Sequence, residues 1–381
     1  MEQQSVRKTY KFQLNPTPAQ EQALELVLSR CRTLYNVALE QRKTWWQRGQ
    51  GKSATYYQQK AELPTLKAVC PDYAEINAQV LQDVILRVER TYKAFFRRVK
   101  TGPEPGYPRF QGNNRYHSFT YPQYGGGAVL DGGVLSLSRI GRIPIRLHRA
   151  VEGTPKTVTI SRETDGWYAT ISCTDVPVQP LPPTGQTTGI DLGLKVFLIT
   201  AAGGIVDNPR HYRTAEKQLA KAQRRVSRRK KSSNRRRKAV ALLSRKLQKV
   251  RRQRTDFHHK TALTLLRQYD VIYLEDLQVR NLVRNRHLAK SISDAGWAQF
   301  RSILACKAEW AGKRVVAVPA QYTSQDCSGC GERVPKSLSV RTHICPTCKL
   351  VIDRDENAAL NILRAGQALQ ALTQSVGAYV A

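Results

Sequence analysis

The sequence is poor in acid. It carries 29 Asp and Glu against 62 Lys and Arg in 381 residues, a formal charge of +33. Repulsion on that scale opposes compaction unless a polyanion neutralises it. Nucleic acid is the natural partner, because cationic side chains release its condensed counterions. A ribosome-like basic protein would show the same bias. A membrane-surface role fits less well, since no amphipathic anchor stands out. No apolar run is long enough to span a bilayer, so no membrane partner is expected. The opening "MEQQSVRKTYKFQLNP" lacks the apolar centre of a secretory leader. Internal repeats are absent too. Cysteine is sparse, and four of the eight (Cys31, Cys70, Cys173, Cys306) are scattered singly. They read as core thiols in a reducing compartment.

What is present supports folded domains. The apolar fraction is 41%, which excludes a disordered chain, and the length allows two or three domains. Residues 6–14 alternate as a strand. Thr17 and Pro18 then open a helix running to about 48, with Leu24, Leu26, Val27, Cys31, Leu34 and Val37 as its expected buried side. A second helical block covers 54–100, broken near "CPDY". The Pro- and Gly-dense stretch 101–114 cannot be helix. From 117 to 178 short strands alternate with turn signals, including a hairpin closed at Asp165-Gly166. This predicts a small β-barrel or sandwich that includes the first strand, with the helical block inserted. A Pro-rich linker (176–186) follows, then "TTGIDLGLKVFLITAAGGIVDN" as two strands. Residues 214–254 hold eighteen Lys or Arg and one acid, Glu216, in one long helix or a hairpin interrupted at "SSN". A strand near 271–275, a helix over 294–312, a strand "VVAVPA" and a helix over 356–372 complete an α/β pattern.

The other four cysteines form two C-x-x-C pairs, Cys327/Cys330 and Cys345/Cys348, fourteen residues apart. Four thiolates at this spacing suit one tetrahedral, structural zinc. Disulfides fit a reducing compartment poorly, and a redox motif would not need two pairs. Gly329 suits the tight turn of the first knuckle, and His343 is a spare ligand the tetrad does not need.

Three acids stand out from their surroundings. Asp191 lies in a strand of apolar and small residues, where a carboxylate must be paired or hold a metal. In "VIYLEDLQV", Val271, Tyr273 and Glu275 share a face, and Asp276 belongs to the loop. Asp353 and Glu356 have capping-box spacing. Asp355 would then stand in the first helical turn above Ala358, Ala359 and Ile362, a small apolar face that can pack on a sheet. Helical geometry therefore favours Asp355 over Asp353 as the third acid. Asp, Glu and Asp in this order suit two divalent cations clamping a phosphodiester, on an RNase H-like sheet.

"GIDLGLK", "YLEDL", "SISDAGWAQF", the paired C-x-x-C knuckles and "DRDENAALNIL" occur in the order seen in TnpB proteins, which this sequence resembles over 187–363. These are RNA-guided nucleases of insertion sequences, related to compact type V CRISPR effectors. The resemblance implies a multidomain α+β fold: a β-barrel wedge domain (1–15 and 116–182) with an inserted helical recognition domain (16–115). A RuvC-type, RNase H-like nuclease domain (183–381) would follow, with a zinc ribbon inserted at 321–351. It implies Asp191, Glu275 and Asp355 holding two Mg²⁺, with Arg341 assisting, and one structural Zn²⁺ on Cys327, Cys330, Cys345 and Cys348. It implies a guide RNA from the transposon end, double-stranded DNA cut beside a short adjacent motif, no obligatory protein partner, and the prokaryotic cytoplasm and nucleoid as location. Where the family often has an aromatic, this chain has His343, and where it typically has a glycine after the fourth cysteine, Lys349. Backbone gripping is expected from Arg7, Lys8, Lys11, Arg224, Arg225, Arg228 and Arg229, and base-edge contacts from Tyr56, Tyr57, Gln58, Gln79 and Gln82. A cleavage-dead repressor on the same scaffold would have lost an acid. An RNA-independent transposase or resolvase would not explain the interrupted β domain.

Overall fold

The computed structural model describes residues 5–48, 53–102, 105–113, 115–337 and 340–378, with side chains of the last helix to Leu372. The chain divides into two compact units, Met1–Pro177 and Val178–Ala381.

The first unit opens with β1 (Ser5–Leu14), whose Tyr10, Phe12 and Leu14 point inward while basic and polar residues alternate outward. Helix α1 (Pro18–Arg48) starts on a reciprocal cap between Thr17 and Gln20. Its buried side is Leu24, Val27, Leu28, Cys31, Leu34, Tyr35, Ala38 and Leu39. Leu26 and Val37, expected inside, are 43% and 59% exposed, because the inward stripe follows the i, i+3, i+4 rows through Leu24 and leaves them on its flank. Short helices α2 (Tyr56–Ala61), α3 (Leu63–Val69) and α4 (Pro71–Ala74) lead to α5 (Ala78–Thr101). The strands are β2 (Ser118–Tyr121), β3 (Ala128–Asp131), β4 (Val134–Leu137), β5 (Gly141–Arg146), β6 (Thr154–Glu163) and β7 (Gly166–Pro177). They form one sheet, β2-β6-β7-β1-β5-β4-β3, with β1 in its middle. The sheet curls into a nearly closed barrel, and the Tyr121 hydroxyl on β2 reaches the carbonyl of Ser138, just past β4. The helices packed on it share its hydrophobic core. Of the scattered thiols, Cys31 and Cys173 are buried and Cys70 is half-buried; Cys306, in the second unit, is exposed rather than in a core.

The second unit has β8 (Thr187–Leu192), β9 (Val196–Thr200) and β10 (Ile205–Asp207), so the stretch read as two strands makes three. The basic run is a hairpin of α6 (His211–Ser227) and α7 (Asn234–Gln268), broken at 228–233. Then come β11 (Val271–Glu275), α8 (Val279–Leu282), α9 (Ala289–Ala295), α10 (Trp297–Trp310), β12 (Arg314–Val318), β13 (Thr342–Ile344), β14 (Val351–Asp353) and α11 (Arg354–Ala378). The single helix expected over 294–312 is split at Gly296, whose φ of +68° ends α9 and re-aims the chain into α10. The sheet order is β10-β9-β8-β11-β12, with β8, β11 and β12 parallel and β9 and β10 antiparallel, the RNase H-like arrangement.

The two faces of this sheet are covered differently. Residues from α7 and α10 pack Ala262, Leu265, Leu266, Phe300 and Leu304 on Ile190, Leu192, Ile272 and Leu274. Helix α11 lies on the opposite face, over Tyr273 and Val318.

Candidate active site and metal site

Asp191 and Glu275 come from neighbouring parallel strands. Leu274 pairs with Ile190, so one residue further Glu275 stands level with Asp191, about 5 Å away across the ladder. Period-2 alternation puts Gly189 and Asp191 on one face of β8, and Tyr273 and Glu275 on the same face of β11. That face is the one α11 covers. The approach is backbone-close: a Cβ at Gly189 would lie 2.2 Å from the Ala359 carbonyl oxygen, and one at Gly366 would lie 2.0 Å from the Tyr273 ring. The Tyr273 hydroxyl donates to Gln370 at 2.6 Å and fixes the helix register. Ala358, Ala359 and Ile362 are buried against the sheet, as their spacing from Asp355 predicted.

Helix α11 begins one residue after Asp353, whose Oδ1 accepts the backbone N–H groups of Asp355 (2.8 Å) and Glu356 (3.4 Å). Asp353 is therefore the N-cap. Glu356 lies beside Gly203 instead of closing a box: a Cβ there would be 3.4 Å from its Oε1. Asp355 is buried in the first turn and held by Arg341 Nη1 at 3.1 Å and Arg354 Nη2 at 2.8 Å.

The carboxylates sense one another. Asp191 keeps some solvent contact but is surrounded by protein, which pushes its carboxyl up to about 8. Burial is the leading cause, with the charges of Glu275 and Asp355 adding to it and Arg354 opposing. Burial also raises Glu275, against a hydrogen bond from the Thr323 hydroxyl. Among the described residues, the three carboxylates do not close into a set whose oxygens all lie within 4.8 Å of one another.

The four thiols do. Cys327, Cys330, Cys345 and Cys348 place their Sγ atoms within 4.8 Å of one another, with 3.5 Å for both Cys327–Cys348 and Cys330–Cys345. A tetrahedral ion with 2.3 Å bonds to sulfur separates its ligands by about 3.8 Å, so the donor set fits zinc. The Cys345 thiol is held down to about 6, first by the backbone N–H of Cys348. Gly329 lies in the turn that Gly331 N–H closes onto the Cys327 carbonyl at 2.9 Å, as expected, though without a left-handed φ; a Cβ there would sit 3.2 Å from Cys348 Sγ, so the glycine also leaves room for the thiol cluster. The left-handed positions are Gly331 and Lys349, at φ +83° and +62°. His343 is fully buried in β13 with its Nδ1 against Lys336, outside the thiol set.

The thiol site is tied to the carboxylates twice. The β13–β14 hairpin pairs Thr342 with Asp353 and ends on Arg354 N–H to Arg341 O at 2.7 Å, which delivers both arginines to Asp355. On the first knuckle, Asn357 accepts from Ser328 N and donates to Asp326 O. Asn361 donates to the carbonyls of Thr323 and Asp326. Thr323 therefore joins α11 to Glu275. Nothing in the sequence marked Thr323; Asn357 and Asn361, four apart on an otherwise apolar helix face, were a visible signal.

The nucleic-acid candidates fare unevenly. Arg224, Arg225, Arg228 and Arg229 line one cavity of about 890 Å³ on the α6–α7 hairpin. Lys8 pairs with Glu152 at 3.3 Å, Lys11 pairs with Glu163, and Arg7 stands on the same strand. Gln58 caps α2 through Thr55, and Tyr56 packs on the core. Gln79 donates to Gln123 at 2.7 Å, Gln82 is half-buried on α5, and Tyr57 is 78% exposed.

Three family profiles match the chain: one described as a probable transposase over residues 170–286, a Cas12f1-like TNB domain over 297–362, and a helix-turn-helix domain over 1–51. The described part of that last span is one strand and one continuous helix, β1 and α1. A putative RNA-guided DNA endonuclease of Streptomyces pristinaespiralis is 35% identical over 377 residues, covering 97% of this chain and 91% of that protein. InsQ, a putative RNA-guided DNA endonuclease of Escherichia coli strain K12, is 30% identical and covers 97% and 94%. A TnpB-like protein of Acanthamoeba polyphaga mimivirus is 31% identical over 134 residues, covering 32% of this chain and 26% of that protein. The Cas12f1 chain solved with sgRNA and target DNA shares the fold at TM-score 0.55 and 13% identity, over 94% of this chain and 98% of that one. Identity of 30% and 35% along nearly the whole length of two such relatives, joined to a five-stranded sheet that carries two of the acids and a helix bound to a four-thiol knuckle, establishes that the chain belongs to the TnpB family.

Proposed function

We propose that the chain is an RNA-guided DNA endonuclease that carries a transposon-end-derived guide RNA and cuts target DNA beside a short adjacent motif, at one Mg²⁺-dependent site. The observation that carries this reading is the convergence of Asp191 and Glu275, level on neighbouring parallel strands, on the face to which α11 brings Asp355. Relatives named as putative RNA-guided endonucleases support it along the full chain.

The donor set suits a hard divalent cation: all oxygen, mutually repelling, and in Asp191 holding a proton that a cation can replace. Bound there, two Mg²⁺ ions would activate water and stabilise the leaving oxygen. The chain's own residues do the rest. Asp353 fixes the helix start, Asn361 and Thr323 hold Glu275 in register with it, and Arg354 orients Asp355. Arg341 is 44% exposed and can turn its outer donors to a phosphate. Zinc on the four thiols would hold both knuckles rigid against α11. The barrel (1–15 and 116–182) is read as the wedge, residues 16–115 as the recognition domain, and the α6–α7 hairpin as a backbone grip.

Expression beside the native 3′ flanking region should co-purify a discrete RNA, and the complex should cut matched DNA only with a divalent cation. Asp191→Ala, Glu275→Ala and Asp355→Ala should each abolish cleavage and keep the RNA. Recovering no discrete RNA would sink the guided reading. Full activity in Asp355→Ala with loss in Asp353→Ala would exchange the roles of those two acids.

A further inference from the structure

The motif "SISDAGW" (291–297) lies at the end of α9 and packs against the start of α6. Its Asp294 is buried and accepts the backbone N–H groups of Tyr212 (2.8 Å) and Arg213 (3.1 Å), capping α6 from another element. Its Ser291 hydroxyl accepts from Arg213 Nη2 at 3.1 Å. Arg210, just before α6, is held at φ +48°, a costly conformation for a residue with a side chain. Its guanidinium donates to the Lys195 carbonyl at 3.4 Å. These contacts aim Arg210 and Arg213, with Lys195 and Arg341, into one cavity of about 250 Å³. That is about eight water volumes.

The charges in this cavity do not balance. Among the described residues, four cationic side chains line it and Asp294 is the one carboxylate, already committed to the positive end of α6. Arg341 is already met by Asp355, which leaves Lys195, Arg210 and Arg213 as an excess of positive charge that favours an anion, with Arg210 held there at a costly φ. Arg341 is the wall shared with the nuclease centre, since it also holds Asp355. An anion in the cavity therefore sits one guanidinium away from the carboxylates. A strand being cut there must place a neighbouring phosphate at about that distance.

We propose that Lys195, Arg210, Arg213 and Arg341 form a backbone-phosphate site for the DNA strand being cut, one that sets which linkage meets Asp355. The site rests on the nuclease reading above and deepens it. It binds charge and shape, so it carries no base preference.

The test uses the complete protein–guide complex and target DNA carrying a single neutral methylphosphonate linkage, moved one position at a time around the cut. In the wild-type complex, one flanking position should slow cleavage about tenfold. In Lys195→Gln/Arg213→Gln, with guide RNA retained, all-phosphate DNA should be cut about tenfold more slowly. The methylphosphonate at that position should then cost nothing further, because both changes remove one interaction. The salt slope of single-strand DNA binding should fall by about 0.7. An identical sensitivity profile in wild type and variant overturns the site and leaves the nuclease reading intact. A response to neutral linkages in the guide RNA, and not in the DNA, overturns it in favour of RNA. If the wild-type complex binds DNA but never cuts it, the nuclease reading fails, and the same scan read by DNA affinity still decides the phosphate site.

Discussion

The two faces of the β8–β12 sheet are packed by different rules. The α7/α10 face is filled by large side chains that interdigitate, with Phe197, Phe300 and Leu304 fully buried. The α11 face is closed by absence of side chain, with Gly189 and Gly366 letting helix and sheet touch through backbone and ring. The first kind of contact supplies stability and tolerates adjustment. The second supplies position, and it lies on the face that bears the carboxylates.

Substitutions on each face break this contrast in opposite directions. Gly189→Ala puts a methyl 2.2 Å from the Ala359 oxygen and must shift α11. Cleavage should fall about 100-fold or more with little loss of guide RNA, since misplacement of about 1 Å costs that much. Leu304→Ala, on the other face, should lower stability by about 3 kcal/mol in thermal unfolding and leave cleavage at permissive temperature near wild type. Equal effects on both readouts from the two variants would erase the distinction.

The acid face should also be destabilising at neutral pH. The folded Asp191 carboxyl sits near 8, above its unfolded value, so the folded state binds the extra proton. This carboxyl's contribution to stability is fully present below about pH 4 and is lost as pH rises through 8. Asp191→Asn should stabilise the metal-free protein by up to about 5 kcal/mol at pH 8, with the gain vanishing near pH 4. Melting temperatures measured in chelator across that range decide it.

Thr323 tests the link from knuckle to sheet. Thr323→Val removes the hydroxyl that donates to Glu275 and should cut cleavage about tenfold; Thr323→Ser should restore it. Losing that bond raises Glu275 further, so the acid limb of the pH–rate profile should move to higher pH. Divalent-ion affinity by calorimetry should weaken in parallel. A rate loss with an unmoved pH profile and unchanged ion affinity would mean that Thr323 only packs. The smallest effect is expected at Lys349, where φ is +62° and the family typically has glycine. Lys349→Gly should stabilise the thiol knuckle by about 1 kcal/mol, read as slower loss of bound zinc to a chelator.

Sequence reasoning reached the elements that carry strong local signals. Strand alternation placed β1 in the barrel, and capping geometry separated Asp353 from Asp355. It stumbled where a neighbour decides. Leu26 and Val37 are apolar and lie on a helix with an apolar stripe, yet they face outward because the stripe is narrower than the count of apolar residues. Gly329 sits in the expected turn, but the room it leaves for the Cys348 thiol is set by a partner that local spacing does not show. The single helix over 294–312 breaks at a glycine whose φ no spacing reveals.

By itself the sequence determined the thiol spacing, the order of the three acids, the strand face that Glu275 shares with Tyr273 and the helical turn that holds Asp355, because period and spacing are properties of the chain alone. Tertiary structure decided that Gly189 and Gly366 bring α11 onto that face, that Thr323 ties it to Glu275, and that Asp294 aims Arg213 towards Arg341. Each of these is a contact between segments tens of residues or more apart. Local propensity carries no information about such meetings, which only close packing can select.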